Sequence, residues 1–258
     1  MKKKLLFLCI PFFLIMKTFA ESPPNQENKP LVVGTTSGYA PYVSLDAKGQ
    51  YEGFDIDLAE LLAKKLNRKL VIKDCGSMPS LMISLQQGKV DVLIWAISIT
   101  NERMKNIEMV YYQGEKVVEM PVLFWGKAPD IKSLEDLGKD PKKAVCVEAG
   151  SYQESVLKGI PNINLKFTDS VSGALMEIKY GKSFAMMIDP SLLPRITAQH
   201  PEVRVVNIPL PPEEHSLGNG ICISKANQEL ANEVRKAIEE LTLEGEIAQL
   251  EKKWNMKG

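Results

Sequence analysis

Apolar positions along the chain switch between a period near two and a period near 3.6. Leu31–Thr35 is a short apolar run of strand length. Leu58, Leu61, Leu62 and Leu66 then recur at i, i+3, i+4 and i+8, which predicts a helix face, with Asp55 as its N-cap. Leu70–Lys73 reads as a strand, Pro79–Gln87 as a short helix and Val90–Trp95 as a strand. The order β-α-β-α-β implies a parallel sheet with helices on its faces. The same order recurs. Ala144–Val147 is a strand, Ser151–Lys158 a helix and Ile163–Phe167 a strand. Asp169 caps a helix with Val171, Ala174, Leu175 and Ile178 on one face, then a strand follows at Phe184–Ile188 and a helix near Ser191–Gln199. Glu115–Trp125 is a β-rich stretch between the units, and Gly220–Ser224 a strand after them. Two helices close the chain, one bearing Leu230, Val234, Ile238 and Leu241, the other, after Gly245, bearing Ile247, Leu250 and Trp254.

Two α/β units of similar size leave this terminal segment without a sheet of its own. Sending it back to the first unit makes residues 31–112 plus 218–258 one lobe and 118–212 the other, joined through 113–117 and 213–217. A cleft between two lobes is a favoured place for a small ligand, and two connecting strands permit hinge closure.

Composition narrows the class. Of 258 residues, 45% are hydrophobic and 25% charged, which is ordinary for a folded protein and excludes collagen-like, coiled-coil and disordered chains. Lys and Arg total 32 and Asp and Glu total 32, so no basic excess draws in a nucleic acid. Lys2, Lys3 and Lys4 precede an apolar run from Leu5 to Met16, and Thr18-Phe19-Ala20 follows, the layout of a secretory signal peptide over residues 1–20. The run is short for a membrane span. A polar, Pro-rich lead over 21–30 is expected to be disordered. Cleavage removes four lysines and no acid, leaving 28 basic against 32 acidic residues, a net of −4. Cys75, Cys146 and Cys222 then remain, odd in number and far apart, beside two His. No C-x-x-C pair exists, so neither metal nor redox cofactor is indicated, and plain buried thiols are expected.

A set of motifs in order is more specific. Gly34-Thr-Thr-Ser-Gly-Tyr-Ala-Pro-Tyr42, Glu52-Gly-Phe-Asp-Ile-Asp-Leu58, Gly88-Lys-Val-Asp91 and Ser98-Ile-Thr-Asn-Glu-Arg103 are followed by Val147-Glu-Ala-Gly-Ser-Tyr-Gln153 and Asp189. Together they resemble the periplasmic amino-acid-binding proteins of ABC importers (family 3 solute-binding proteins) over about residues 31–256, nearest in kind to the arginine and basic amino-acid binders. The resemblance implies an α/β fold of the type II periplasmic-binding-protein kind, with a mixed sheet in each lobe and a two-strand hinge. It also implies a monomer that is no enzyme, handing a free amino acid to a permease in the inner membrane.

By the same resemblance, Arg103 grips the ligand α-carboxylate, where a planar guanidinium offers two parallel hydrogen bonds. Ser98 adds a hydroxyl to that carboxylate and Ala96 a backbone carbonyl to the α-ammonium. Asp189 matches the acid that takes the ammonium, although a residue before Pro190 also suits an N-cap. The Gly150-Ser151-Tyr152-Gln153 turn opens a helix, where N–H groups and Ser151 can hold an anion or simply cap. Tyr39 walls the side-chain pocket, with Trp95 or Met78 opposite. Asp55 and Asp57, in the first turn of a helix, read as capping and dipole residues.

Many basic-residue binders of this family carry Asp where Thr36 stands here. Glu148 is the candidate for the missing negative charge. Thr36, Tyr39, Glu148 and Gln153 suit a long cationic side chain, arginine first and lysine or ornithine second, while Thr36 and Gln153 would serve the amide of glutamine. An enzyme related to cyclohexadienyl dehydratases is the alternative from another class; it needs a positioned acid or base.

Overall fold

In the computed structural model, which describes residues 29–256, the periodic segments become elements by pairing as much as by their own propensity. The chain forms β1 (Leu31–Thr35), a hairpin of β2 (Ser44–Leu45) and β3 (Tyr51–Glu52), α1 (Phe54–Lys65), β4 (Leu70–Asp74), α2 (Met78–Gln86), β5 (Val92–Leu93), α3 (Asn101–Met104) and β6 (Ile107–Gln113). It continues with β7 (Glu119–Trp125), β8 (Ala144–Glu148), α4 (Tyr152–Lys158), β9 (Asn164–Thr168), α5 (Val171–Lys179), β10 (Ala185–Met187), α6 (Leu193–Gln199) and β11 (Val203–Pro209). It ends with β12 (Asn219–Ser224), α7 (Gln228–Leu243) and α8 (Glu246–Lys253).

Two five-stranded sheets result, in the orders β4-β1-β5-β12-β6 and β11-β7-β10-β8-β9. Each is mixed. In the first, β4, β1 and β5 are parallel and β12 runs antiparallel to β5 and β6. In the second, β8 is parallel to β9 and β10, while β7 runs antiparallel to β10 and β11. The periodic pattern predicts neither β6 nor β11. Those strands exist because a long partner is in register with them, as β11 is with β7 from Val203↔Trp125 to Pro209↔Glu119. The chain crosses between sheets after β6 and again after β11, and the two crossing segments pair where Val117 and Ser216 exchange hydrogen bonds of 3.0 and 3.3 Å.

The first sheet packs Leu31, Val33, Val92 and Leu93 against α1 and α7, whose Leu58, Leu62, Val234 and Ile238 are buried. Each such side chain contributes roughly 1.5–3 kcal/mol, which holds the returning C-terminal segment on this sheet. The second sheet is covered on both faces. Met120, Val122 and Phe124 of β7 enter one cluster and Leu123 the other, the two-residue alternation of a strand.

Three local expectations change. Gly53, not Asp55, is the N-cap of α1, at φ 136°, where a Cβ would meet the Tyr42 carbonyl oxygen at 2.0 Å. Ser170, not Asp169, caps α5, accepting from the Gly173 N–H at 3.1 Å. Asp57 tethers the C-terminus: its Oδ2 accepts from Lys253 Nζ at 2.7 Å and Trp254 Nε1 at 2.6 Å. The signal peptide and most of the lead lie outside the described residues. Lys29 and Pro30, assigned to the disordered lead, are instead tied down, Lys29 by Asp91 at 3.2 Å and the Pro30 carbonyl by Arg68 Nη2 at 2.9 Å. Cys146 and Cys222 are buried thiols, Cys75 is half-buried, and all three are free. Among the described residues no helix is long and apolar enough to cross a membrane.

Candidate functional site

The carboxyl ends of parallel strands are where open α/β sheets place ligands, and here those ends of the two sheets face each other. The turn after β1 supplies Tyr39; the segment after β5 supplies Trp95, Ala96, Ser98 and, through α3, Arg103. From the other lobe, the end of β8 supplies Glu148, the α4 entry Ser151, Tyr152 and Gln153, and the segment after β10 supplies Asp189. All of these line one narrow cavity, together with Met78. Thr36 does not. It is buried directly after β1, and it is Tyr39, three residues on, that the turn delivers to the cavity.

The free space is about 20 Å³, and a water needs about 10–15 Å³. An amino acid therefore enters only as the lobes or the lining side chains move apart. Two wider openings flank the cavity. One of about 640 Å³ shares Arg103 and Ser151 with it, and one of about 630 Å³, on the side of the crossing segments, shares Ser98 and Asp189.

Arg103 bridges the lobes, as does Arg195, whose Nη1 donates to the Ala40 carbonyl at 3.2 Å. Arg103 Nη1 donates to the Ser98 carbonyl at 2.9 Å and its Nη2 to the Gly150 carbonyl of the other lobe at 3.0 Å. Gly150, at φ 75°, approaches Met78 and Pro79 so closely that a Cβ there would stand 3.1 and 3.3 Å from their side chains. Ser151 caps α4, accepting from the Glu154 N–H at 3.1 Å, so its hydroxyl is engaged locally although it faces the cavity. Asp189 likewise caps the short 3₁₀ turn at Pro190–Leu192. Its Oδ1 accepts from Ser191 N at 2.9 Å and Ser191 Oγ at 2.5 Å. Gln153 Nε2 donates to Met120 Sδ at 3.8 Å, and Tyr152 donates its hydroxyl to the Glu214 carbonyl. The rings of Tyr39 and Trp95 meet at 5.2 Å and 50°, and the buried Trp95 Nε1 has no hydrogen-bond partner among the described residues.

Burial dominates the electrostatics. It pushes the Glu148 carboxyl up to about 7, with Asp169 adding to the rise. It raises Asp189, against the opposing Ser191 bonds, and lowers Arg103. Among the described residues no ion pair within 4.0 Å reaches Arg103, Glu148 or Asp189. Charges partly withdrawn from water with no opposite charge beside them are costly, and a ligand of complementary charge offsets that cost.

One residue behind the cavity wall, bonded to Ala96 but not itself lining the cavity, escapes sequence reasoning. Asp55 is 1% exposed, its Oδ2 accepts from the Ala96 N–H at 2.7 Å and its Oδ1 from Tyr112 Oη at 2.8 Å. Burial pushes it up to about 7, while the bonds from Tyr112 and Ala96 pull the other way. Its sequence signature is that of any acid in a first helical turn, so no local signal separates it from Asp57.

A two-lobed α/β chain with a half-buried guanidinium and two half-buried carboxyls lining one interlobe cavity is a binding protein for a small solute. The chain belongs to the bacterial extracellular solute-binding proteins, family 3, whose sequence profile matches residues 31–257, and its fold is the type II periplasmic-binding-protein fold. It is 31% identical over 232 residues, 90% of this chain and 88% of the relative, to a probable ABC transporter arginine-binding protein of Chlamydia trachomatis serovar D. It is 30% identical to the arginine-binding extracellular protein of Bacillus subtilis, covering 98% of both chains. Among solved structures, an ancestral arginine-binding protein bound to arginine superposes with a TM-score of 0.76 at 31% identity, over 89% of this chain and 98% of that one. The form bound to glutamine also gives 0.76 at 31% identity, over 90% and 100%. An ancestral amino-acid-binding protein described as a precursor of cyclohexadienyl dehydratase gives 0.73 at 29% identity, over 87% and 95%.

Proposed function

We propose that this protein captures a free amino acid, L-arginine before others, between its lobes and delivers it to an ABC permease in the inner membrane. The observation that carries this is the charge set of the cavity, none of it in an ion pair among the described residues: one half-buried guanidinium, Arg103, and two half-buried carboxyls, Glu148 and Asp189. Arginine is its complement. Its α-carboxylate meets Arg103 and the Ser98 hydroxyl, its α-ammonium meets Asp189 and the Ala96 carbonyl, and its guanidinium meets Glu148 beside the Tyr39 and Trp95 rings. Cation–aromatic contact adds ~0.5–2 kcal/mol. Ser151, Tyr152 and Gln153 complete the wall from the second lobe. Neither lobe alone meets all three charges, so the ligand favours closure about the segments 113–117 and 213–217. The arginine-binding relatives support the assignment.

Glutamine is the second reading, favoured by one observation. The unpartnered Trp95 Nε1–H asks for an acceptor, which a side-chain amide has and a guanidinium lacks. An enzymatic role is the weaker reading, because the cavity acids and Arg103 are all engaged by a zwitterion. The signal-peptide layout of residues 1–20 supports export to the periplasm.

A thermal-shift screen of the refolded mature chain against the twenty amino acids and ornithine tests the proposal. A ligand at a hundred times its dissociation constant adds about 2.7 kcal/mol to stability. The largest shift is expected with arginine. A larger shift with glutamine selects the second reading, and no shift with any amino acid overturns both.

A further inference from the structure

We infer that Asp55 is a positioning residue of the amino-acid site, holding the Ala96 peptide so that the turn after β5 presents Trp95, Ala96 and Ser98 to the cavity. The inference rests on the amino-acid-binding reading above. Ala96 is a non-glycine residue at φ 44°, in the left-handed region that costs free energy and persists only where its surroundings enforce it. The enforcing group is visible. The Ala96 N–H is shared between Asp55 Oδ2 at 2.7 Å and Tyr112 Oη at 3.2 Å, and Tyr112 in turn donates its hydroxyl to Asp55 Oδ1 at 2.8 Å.

The arrangement is more than α1 or the core requires. An acid in the first turn of a helix serves the dipole equally well from the surface, yet Asp55 is turned fully inward and bonds a peptide 41 residues further along the chain. No cation among the described residues lies within 4.0 Å of it. Its own field reaches the titratable hydroxyls of Tyr39, Tyr42 and Tyr112 and raises them. A buried carboxyl without a counter-ion is expensive, and a leucine would pack the same volume without that cost. What the carboxyl supplies in return is one fixed peptide, and Ala96, with Trp95 before it and Ser98 after it, lines the site.

The experiment uses the full mature chain labelled with ¹⁵N-alanine, as wild type, Asp55→Asn and Tyr112→Phe. The Ala96 amide is followed by NMR, and L-arginine and L-glutamine are titrated calorimetrically. In Asp55→Asn the Ala96 amide proton is expected to move upfield and lose exchange protection while Kd rises at least tenfold, about 1.4 kcal/mol. Tyr112→Phe, which removes the hydroxyl and leaves the carboxyl, is expected to raise Kd roughly threefold with a smaller displacement of the same amide. A folded Asp55→Asn with Kd within twofold of wild type overturns the inference. So does a weakened variant whose Ala96 amide has not moved, because the loss then does not pass through that peptide. If Asp55→Asn does not fold, Tyr112→Phe decides: an unchanged Kd overturns the inference and a raised one supports it. Wild-type protein that binds neither amino acid overturns the functional reading, and this inference with it.

Discussion

Replacing Glu148 with Gln keeps the side chain's size and removes its charge. Burial holds this carboxyl up to about 7, so at pH 8 most molecules present an anion to the cavity. A guanidinium paired with it forms charge-assisted hydrogen bonds contributing ~1.5–3 kcal/mol each. Stranding that guanidinium beside a neutral amide costs about 3–5 kcal/mol where water is excluded. A loss near ~3 kcal/mol corresponds to about two orders of magnitude in Kd for arginine, whereas a neutral ligand such as glutamine should change by less than about threefold on the same scale. Calorimetric titration of both ligands at pH 8 into refolded protein reads the difference. Equal losses for the two ligands, or an unchanged Kd for arginine, refute the assignment of Glu148 to the ligand's side chain. The ligand-free protein offers an independent reading. The folded-state pKa lies above the ordinary 4.5, so the folded chain holds a proton that the unfolded chain has released. This contribution to stability is complete below about 4.5 and is lost as pH rises through about 7. Glu148→Gln should remove that share of the pH dependence.

Arg103→Ala should weaken binding of any α-amino acid by more than tenfold in titration calorimetry; unchanged affinity removes Arg103 from the site. In wild-type protein the arginine Kd should rise as pH falls through about 7, because Glu148 takes up a proton, and that trend should be reduced in Glu148→Gln, with Asp55, also pushed up to about 7, carrying what remains. Gly150→Ala places a Cβ against Met78 and Pro79 of the other lobe and forces alanine to φ 75°. A strain of roughly 1–2 kcal/mol should appear in chemical denaturation together with weaker ligand binding. If neither changes, the lobes do not meet at Gly150 when the ligand is held.

How far these residues could be read from the chain follows the range of the forces involved. The motifs around Arg103 and Glu148 name residue types suited to a zwitterion, and the structure brings both to one cavity. It leaves out Thr36, whose neighbours in sequence say nothing about which residue of the turn after β1 reaches the cavity. Asp189 was legible both as an acid for the ligand and as a cap; the bonds to Ser191 show the cap.

Local order is written in the sequence because it depends on neighbours three or four positions away. The leucines at 58 and 62 and the apolar face of Val234 and Ile238 determine their helices, and the alternation of helix with strand determines the α/β class. Nothing that local distinguishes Asp55 from Asp57 or reveals β6 and β11. One aspartate is buried against Ala96 and the other tethers the C-terminus, and the two strands form only when partners distant in sequence arrive in register. Those outcomes belong to the tertiary structure, because a carboxyl's partner and a strand's register are set by segments the chain brings together only on folding.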